Sequence, residues 1–475
     1  MLSLKSIYQG KIASGVLVLI QLLSAGCSGS PVQPAAEAIY AAEATVITPY
    51  PDLPGLPIAA DYQLTQGNRI IPIYEVPAGR FAMVRSTGSE TFILRRTDAA
   101  PIKSATLRPS SPVESHHLKN GAVSLRLSGL GAKALELDGD QSRPLFLINH
   151  PPELPPDRAL FTHFFDSGKV HELPEGKLKL RDGESVYIAG GAVVRGCIEV
   201  QGKKGAPIQD IRIAGQGVLD AGAQGKPLCL INTRDSLVEG ITLLNTGGWT
   251  FRLFEVQNVK VNSVNILATG EFSDGIDVLG SSDVVVSGGF IHSQDDCIAI
   301  KGSKWGFRGN VERVTLENLV IWKASAGNGI EIGYETDVDY IRDITVKNIA
   351  ILHVGRKEFP FRRAALSIHN SGHAAISNVL YEDITIEQAS ENLIYLWVGK
   401  SGFIERKAPG TIKNVTYRRV RYINGSEVPS VINCSEATGS ITGITFDRCL
   451  FLDRPIKEPA NFDLTVLGSA PPAFR

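Results

Sequence analysis

The sequence predicts an all-β protein in which a right-handed parallel β-helix follows a smaller β-sandwich-like domain. The first observation is a repeat: from residue 208 onward, apolar residues recur at relative positions 0, 2, 5 and 7, as at Val259, Val261, Val264 and Ile266. Period-2 apolar runs broken by a short corner describe a strand, a bend and a second strand. The second observation is the composition, because 47 Gly, 2 Met and 7% aromatic residues are typical of β-structure with many tight turns.

The repeat has the length expected for one coil of a β-helix. Its copies begin near residues 211, 236, 259, 284, 314, 344, 379, 415 and 444. No coil of this size buries its apolar face alone, so neighbouring coils must stack on one another. The later repeats are longer, and the extra residues must form loops, which we expect at 301–310, 354–364 and 398–411 along one side of a groove.

The N-terminal segment is a targeting signal and is excluded from the fold. A positively charged start and an apolar run too short to span a membrane comfortably precede Leu-Ser-Ala-Gly-Cys at 23–27. This segment resembles a bacterial lipoprotein signal, which implies that 1–27 is the signal and that Cys27 carries lipid. Residues 28–45 are expected to be a flexible tether. The protein would then be an exported lipoprotein of the periplasm or outer membrane; the alternative is an ordinary secretion signal and a secreted protein.

Residues 46–180 lack the repeat and are predicted to form the β-sandwich-like domain. They contain short alternating stretches at 81–85, 91–95 and 123–127, separated by polar turns. The β-helix is predicted to span 181–475. We expect the sandwich to cover the open N-terminal end of this β-helix, since an exposed coil edge invites pairing with other chains.

Charge and cysteine content exclude several classes of protein. The net charge is −1 and 20% of residues are charged, so nothing indicates a nucleic-acid partner. The nine histidines show no metal-ligand spacing and no glycine loop is built for phosphate, so neither a metal nor another cofactor is expected. The five cysteines after Cys27 are expected to be small buried apolar residues, although Cys434 and Cys449 lie one coil apart and a bridge between them stays possible. The oligomeric state is left open.

Three carboxylates have the spacing of neighbouring coils. Asp274 lies in a Ser-Asp-Gly turn, and Asp295 and Asp296 follow 21 and 22 residues later. If one coil takes about that many residues, the three side chains converge, and converging carboxylates are what hydrolysis of a glycosidic bond requires. Adjacent residues of a regular strand point to opposite faces, so Asp295 and Asp296 must lie at a corner or bulge. The alternative is that all three are turn residues at the corners of the coils.

Three blocks around these carboxylates resemble those of the polygalacturonase family, glycoside hydrolase family 28. The blocks are Ser-Asp-Gly at 273–275, Gln-Asp-Asp-Cys-Ile-Ala-Ile-Lys at 294–301 and Gly-Asn-Gly-Ile at 327–330. The chain also resembles the dextranases of family 49, in which a β-sandwich precedes the β-helix. Both resemblances imply a β-helical hydrolase that inverts the configuration at the cleaved sugar.

The resemblance also implies roles for the carboxylates. Asp295 corresponds to the general acid, and Asp274 and Asp296 correspond to the residues that hold and activate the attacking water. Three positions differ from the polygalacturonase pattern. Asn328 stands where that family carries a histidine, and Ser367 and His369 stand where it carries the arginine and lysine that grip the substrate carboxylate.

Further residues are expected to bind the substrate, an oligosaccharide or polysaccharide. Basic residues cluster in the three predicted loops, which favours an anionic, uronic or sulfated sugar. Glutamates are candidates for binding sugar hydroxyls, although the ordinary alternative is that they lie in solvated turns. Aromatic rings are candidates for stacking on a sugar, although the ordinary alternative is that they simply pack against the protein. The predicted substrate-binding residues are Asn328, Lys301, Glu331, Glu335, His369, Arg363, Trp305 and Tyr334.

The function predicted from the sequence is therefore that of an exported glycoside hydrolase. Three alternatives stay open: a dextranase-like hydrolase of a neutral glucan, a polysaccharide lyase, and a carbohydrate-binding β-helix without catalysis. A lyase abstracts a proton next to a uronate carbonyl, which favours a lysine, arginine or histidine base, often with calcium. Neither the sugar, nor the linkage, nor endo against exo action follows from the sequence.

Overall fold

The computed structural model describes residues 49–475, except 78, 86–89, 111–114, 128, 246, 356–362, 405–407, 425 and 427. The predicted signal at 1–27, Cys27 and the tether at 28–45 lie outside the described residues. Among the described residues no helix is long and apolar enough to cross a membrane. The β-sandwich and the β-helix described below belong to one compact unit, residues 47–475.

Two five-stranded sheets form the β-sandwich. The outer sheet has the strand order Arg69–Ile71, Tyr62–Gln66, Glu90–Arg96, Ala122–Leu127 and Ser115–Lys119. The inner sheet has the order Tyr74–Val76, Gly79–Arg85, Asp140–His150, Gly131–Leu137 and Ala105–Arg108. Alternation of side chains explains how the inner sheet is covered on both faces. Ala82 and Val84 pack against the outer sheet, whereas Phe81 and Met83 point the other way.

The rest of the chain forms a right-handed parallel β-helix with three stacks of strands, which we call the first, second and third sheets. Residues of the same position in successive coils pair in parallel. The first sheet contains His163–Phe165, Ser185–Ile188, Ile208–Gln209, Arg212–Gly215, Thr233–Glu239, Gln257–Asn262, Ser282–Ser287, Val311–Glu317, Tyr340–Val354, Ala375–Ile386, Thr411–Arg418, Ser440–Asp447 and Ala473–Phe474.

The second and third sheets complete each coil. The second sheet contains Val170–Leu180, Val193–Gln201, Val218–Asp220, Thr242–Asn245, Asn265–Ala268, Phe290–Ser293, Val320–Lys323, Arg421–Tyr422, Leu450–Phe451 and Arg454–Pro455, together with the ends of the long strands Tyr340–Val354 and Ala375–Ile386. The third sheet contains the C-terminal parts of Val170–Leu180 and Val193–Gln201, and then Leu228–Ile231, Phe251–Phe254, Ile276–Leu279, Ile298–Lys301, Ile330–Tyr334, Ala364–Asn370, Asn392–Val398, Ser430–Cys434 and Leu464–Leu467.

Short elements complete the described part of the chain. The hairpin Ser303–Lys304 with Phe307–Arg308 projects from the corner after the third sheet. Three 3₁₀-helices occur at Arg158–Leu160, Gly222–Gln224 and Pro459–Phe462. All five described cysteines are buried and free, so the possible bridge between Cys434 and Cys449 is not formed.

The interior of the β-helix is made of ladders of like residues. On the third sheet, Leu253, Val278 and Ile300 are paired in register on successive coils and are completely buried. Such stacking places similar apolar side chains about 4.8 Å apart, and these side chains fill the interior of the coil without gaps. The same register that aligns these inward residues also aligns the residues between them, which face outward and build the site described below.

The β-sandwich packs along the side of the β-helix, so the expectation that it covers the N-terminal end is wrong. Phe146 of the inner sheet contacts Phe290 and Trp322, with ring centroids 4.9 and 5.6 Å apart. These rings belong to an apolar cluster that follows the second sheet from Val193 to Leu352. The physical reason is that the second sheet presents outward apolar side chains on coil after coil, and only a second layer can remove them from water.

The β-helix also begins earlier than the predicted boundary between residues 180 and 181. His163–Phe165 and Val170–Leu180 already pair in parallel with the next coil. Sequence patterning missed this first coil because a register shift between Glu172 and Lys177 interrupts the alternation of apolar and polar residues.

Candidate active site

The three acidic residues singled out in the sequence lie in corners that lead into the third sheet. Asp274 precedes the strand Ile276–Leu279, and Asp295 and Asp296 occupy the turn before Ile298–Lys301. One carboxylate oxygen from each of the three lies within 4.8 Å of the others. The predicted convergence is therefore confirmed, and the corner explains how two adjacent residues share one cleft.

Backbone and amide groups hold two of the carboxylates in place. The backbone N–H of Asp296 donates to Asp274 Oδ1 over 3.2 Å. Asn328 donates to Asp296 Oδ1 twice, from its backbone N–H at 2.7 Å and from its side-chain amide at 2.9 Å. The amide oxygen of Asn328 in turn accepts the backbone N–H of Ala364 at 2.8 Å. Asn328 thus ties Asp296 to the next coil.

Lys301 is the centre of the charged cluster. Its buried ammonium lies 3.5 Å from Asp274 Oδ2, 3.7 Å from Asp277 Oδ1 and 3.9 Å from Asp296 Oδ2. A fourth carboxylate, Glu335, approaches it to 3.6 Å. Burial opposes the charge on Lys301, but the surrounding carboxylates, with Glu335 and Asp274 foremost, raise the pKa of the ammonium well above its usual value. Lys301 therefore stays charged across the ordinary pH range.

Burial raises the pKa of the aspartates around Lys301. The effect is large for Asp274 and Asp296, which are buried, and each is raised further by a neighbouring carboxylate. Burial also raises the pKa of Asp295, against the opposing pull of Lys301 and Arg363. Since one ammonium faces several crowded carboxyl groups, the cluster retains a proton to higher pH than isolated aspartates do.

A cavity of about 400 Å³ opens above this cluster. Five aromatic rings contribute to its wall, a composition common in binding sites for organic ligands. The residues that line it are Trp249, Glu271, Phe272, Asp274, Asp295, Asp296, Lys301, Lys304, Trp305, Ala326, Gly327, Asn328, Tyr334, Glu335, Arg363 and Phe403. The structure thus brings together all three predicted catalytic aspartates and six of the eight predicted substrate-binding residues. The exceptions are Glu331 and His369.

Comparison with known proteins assigns the chain that carries this site to a family. The family model "Glycosyl hydrolases family 28" matches residues 181–449, which is more than half of the chain and includes every coil that contributes an aspartate. The chain belongs to glycosyl hydrolase family 28. The predicted resemblance is therefore confirmed.

Individual relatives of the family 28 chain are distant. It is 21% identical over 227 residues to an exopolygalacturonase A of Aspergillus niger, covering 44% of this chain and 42% of the relative. It is 26% identical over 217 residues to a probable exopolygalacturonase B of Neosartorya fischeri (39% and 45%) and 23% identical over 268 residues to a polygalacturonase of Chamaecyparis obtusa (50% and 49%). The chain thus spans less than half the length of these curated relatives.

Solved structures agree on the architecture of the family 28 chain. A family 28 exopolygalacturonase of Yersinia enterocolitica superposes with a TM-score of 0.51 at 13% identity, covering 89% of this chain and 97% of that one. Dex49A from Penicillium minioluteum gives a TM-score of 0.51 at 14% identity, covering 90% and 96%. At these identities the likeness shows the fold, including the predicted likeness to family 49.

Glu331 and His369 do not line the family 28 cavity, so the structure places these two predicted substrate-binding residues away from it. Both side chains are completely buried. His369 Nδ1 lies 2.8 Å from Glu331 Oε2, and the hydroxyl of Ser367 also donates to this carboxylate. Tyr334 stacks on the ring of His369, with centroids 4.3 Å apart and planes 5° from parallel. His369 thus supports the ring of Tyr334, and Glu331 holds His369 in place.

The basic loops predicted from the sequence are only partly described. The ammonium of Lys304 donates a hydrogen bond to Glu335, and the guanidinium of Arg308 lies 2.9 Å from the carboxylate of Asp337, so each of these cations is paired with an acidic residue. The loop residues at 356–362 and 405–407 lie outside the described residues. Arg363 lines the cavity and donates to the backbone carbonyl of Ser325 at 3.4 Å.

Sequence reasoning missed several contributors to the site, among them Asp277, Trp249, Phe272 and Phe403. Asp277 is completely buried beside Lys301, and Trp249 lies with its ring 4.3 Å from the Lys301 ammonium. Phe272 and Phe403 extend the aromatic wall. A signal existed for Asp277, because an aspartate at an outward position three residues after Asp274 must share its surroundings. The contact of Trp249 depends on how its turn folds over the next two coils, which spacing does not reveal.

Gly327 is required by the close approach of its backbone to the two adjacent aspartates. Its φ angle is +68°, and an added Cβ would lie 2.3 Å from the backbone nitrogen of Asp296 and 2.4 Å from Asp295 Oδ1. We expect Gly327→Ala to lower the free energy of unfolding by about 2–4 kcal/mol, since backbone strain and overpacking add. Gly168→Ala is the control, because φ is +73° there and nothing lies within 4 Å. Equal losses in urea titrations of the two variants would contradict the crowding argument.

Asp277 gives the family 28 site a measurable pH signature. Burial raises its pKa from 3.8 to about 7, so the folded protein binds a proton that the unfolded chain has lost. The contribution of this group to stability is therefore full below about pH 4 and is lost as the pH rises to about 7. We expect Asp277→Asn to remove this decline in urea titrations between pH 4 and 8.

Asp283→Asn provides a control of opposite sign for that experiment. A hydrogen bond from Arg313 lowers the pKa of this surface carboxyl, so its stabilising effect appears as the pH rises. A profile for Asp277→Asn that runs parallel to the wild-type profile over the whole range would show that Asp277 is not the group that titrates.

Proposed function

We propose that the protein hydrolyses a glycosidic bond of an anionic, uronic polysaccharide or oligosaccharide, with inversion at the cleaved carbon. The observation that carries the proposal is the convergence of Asp274, Asp295 and Asp296 beneath a cavity of about 400 Å³. Hydrolysis of a glycosidic bond needs one carboxyl group to protonate the leaving oxygen and another to activate a water. Membership of family 28 supports the same reaction.

Asp295 is the general acid in this mechanism. It is the most exposed of the three aspartates and has no ion pair with Lys301, so its carboxyl group is free to meet a substrate oxygen. Burial raises its pKa, so it keeps its proton to higher pH than an isolated aspartate does. As the bond between the anomeric carbon and the leaving oxygen breaks, Asp295 delivers its proton to that oxygen.

Asp274 and Asp296 position the water. Each has one oxygen fixed by hydrogen bonds from the backbone or from Asn328, and each has its other oxygen near Lys301. Lys301 opposes the rise in pKa that burial causes at both aspartates, and an ionised carboxylate of this pair accepts the proton that the water releases on attack. The three carboxylates approach one another more closely than the separation of about 6.5–9.5 Å usual for inverting pairs, so inversion rests on family membership rather than on this distance.

Two kinds of observation support a uronic substrate. Lys304 and Arg363 line the cavity and provide positive charge beside the aspartates. The relatives found by sequence comparison include exopolygalacturonases from Aspergillus niger and Neosartorya fischeri. Because Ser367 and His369 are buried in contact with Glu331, a substrate carboxylate has to find its cations elsewhere on the wall.

Asp295→Asn tests the proposed acid. We expect turnover on polygalacturonate or its oligomers to fall at least about 1,000-fold, because general-acid catalysis is lost, while the unfolding midpoint changes little. Reducing ends and ultraviolet absorbance are measured together, since a lyase would form an unsaturated product. Asp453→Asn, a change at a highly exposed aspartate, is the control. Full activity of Asp295→Asn, or an unsaturated product from the wild-type protein, would refute the proposal.

Export through a lipid anchor on Cys27 is proposed from the N-terminal sequence alone. The small residues before Cys27 and the apolar run ahead of them support it. Growth of producing cells with labelled palmitate is expected to label the wild-type protein and not Cys27→Ser. Equal labelling of both proteins, or of neither, would contradict a lipid anchor at this position.

A further inference from the structure

A second cavity adjoins the one above the aspartates. Its volume is about 330 Å³, and it shares Lys304, Trp305, Glu335 and Phe403 with the first cavity. The remaining lining comes mainly from the hairpin of residues 303–308. These shared side chains form a common wall, so a ligand that leaves the first cavity on this side passes directly into the second.

The hairpin holds Trp305 in a conformation that bulky residues disfavour. Trp305 and Gly306 form its two-residue turn with φ angles of +50° and +87°, where asparagine and glycine are the usual residues. Strained positions of this kind concentrate at binding sites. The strain therefore points to a role for the indole that a stable turn alone does not require.

Trp305 offers an open ring surface between the two cavities. Its side chain packs against Trp249, with ring centroids 4.4 Å apart, yet the residue is 58% exposed. Phe403, which lines both cavities, is 44% exposed. Exposed apolar surface gathered in one place marks an interaction site, and the C–H face of a sugar ring is a matching partner for it.

The charges of the second cavity favour an anion more than those of the first. Among described residues its ionic lining consists of Lys304, Arg308 and Glu335, which is two cations against one acid. The first cavity has five acidic residues against three cations. Arg308 is paired with Asp337, but its guanidinium is more than half exposed and carries further N–H donors for a second carboxylate.

We propose that the second cavity binds a hexuronate residue of the substrate, beyond the sugar whose bond is cleaved. The ring lies against Trp305, and the carboxylate is directed toward Lys304 and Arg308. This inference rests on the proposed function, because it places the remote sugar relative to cleavage at Asp295. Affinity then increases with chain length until both cavities are filled.

Calorimetric titration of the Asp295→Asn protein with digalacturonate and tetragalacturonate tests this subsite. We expect the tetramer to bind at least tenfold more tightly than the dimer. Adding Trp305→Ala to the Asp295→Asn protein should lower the affinity for the tetramer about tenfold and that for the dimer less than twofold. Trp305→Tyr in place of Trp305→Ala should restore most of the affinity for the tetramer. Arg308→Gln should also weaken the tetramer selectively, and less so at high salt, because its contribution is ionic.

The outcomes separate the subsite from the proposed function. Equal affinities for dimer and tetramer, equal losses for both on Trp305→Ala, or no binding of either oligomer would overturn the hexuronate subsite. Full activity of Asp295→Asn would instead overturn the catalytic assignment. Unchanged unfolding midpoints for the Trp305 and Arg308 variants are expected, since both side chains are largely exposed.

Discussion

The ion cluster around Lys301 is the constraint on which the site depends. Four carboxylates approach its ammonium to within 4 Å in a buried place, and mutual repulsion would drive most of them to accept protons if that charge were absent. Glu335 shows the reverse effect, since Lys301 and Lys304 lower its pKa in spite of burial. The lysine thus sets how many protons the cluster holds, and this number decides whether an acid and a base exist side by side.

The coil geometry explains why such a cluster forms at a corner. Strands in register place outward side chains of successive coils about 4.8 Å apart, and the corners bring in Asp274, Asp295 and Asn328 from three coils. Backbone groups then meet at very short range, which is why Gly275 and Gly327 have no room for a side chain. The apolar ladders inside the β-helix fix the register, so the precision of the polar site derives from the packing of its core.

The sequence contained enough information for the fold and for the three aspartates, because both depend on the period of one coil. The first coil, starting at His163, escaped prediction because its apolar alternation is interrupted. Glu331 was assigned to the substrate because glutamates often bind sugar hydroxyls, and His369 because it stands where family 28 carries a residue that grips the substrate. In the structure His369 lies under the ring of Tyr334, and Glu331 is buried beside it. The repeat period of the sequence predicts which way a side chain points, but it does not predict which residues cover that side chain. For the same reason the contact of Trp249 with Lys301 was not predicted.

The lateral position of the β-sandwich has a mechanical consequence. A bare solenoid is free to unravel one turn at a time, since each repeat touches only its neighbours. Here one rigid layer is fastened to many turns at once, from apolar contacts near Val193 to the ion pair between Arg108 and Glu387. This layer therefore holds the turns on either side of the cleft to one another. Unfolding of any single turn then requires its contacts with the β-sandwich to break, and residues 47–475 are expected to unfold in one cooperative transition.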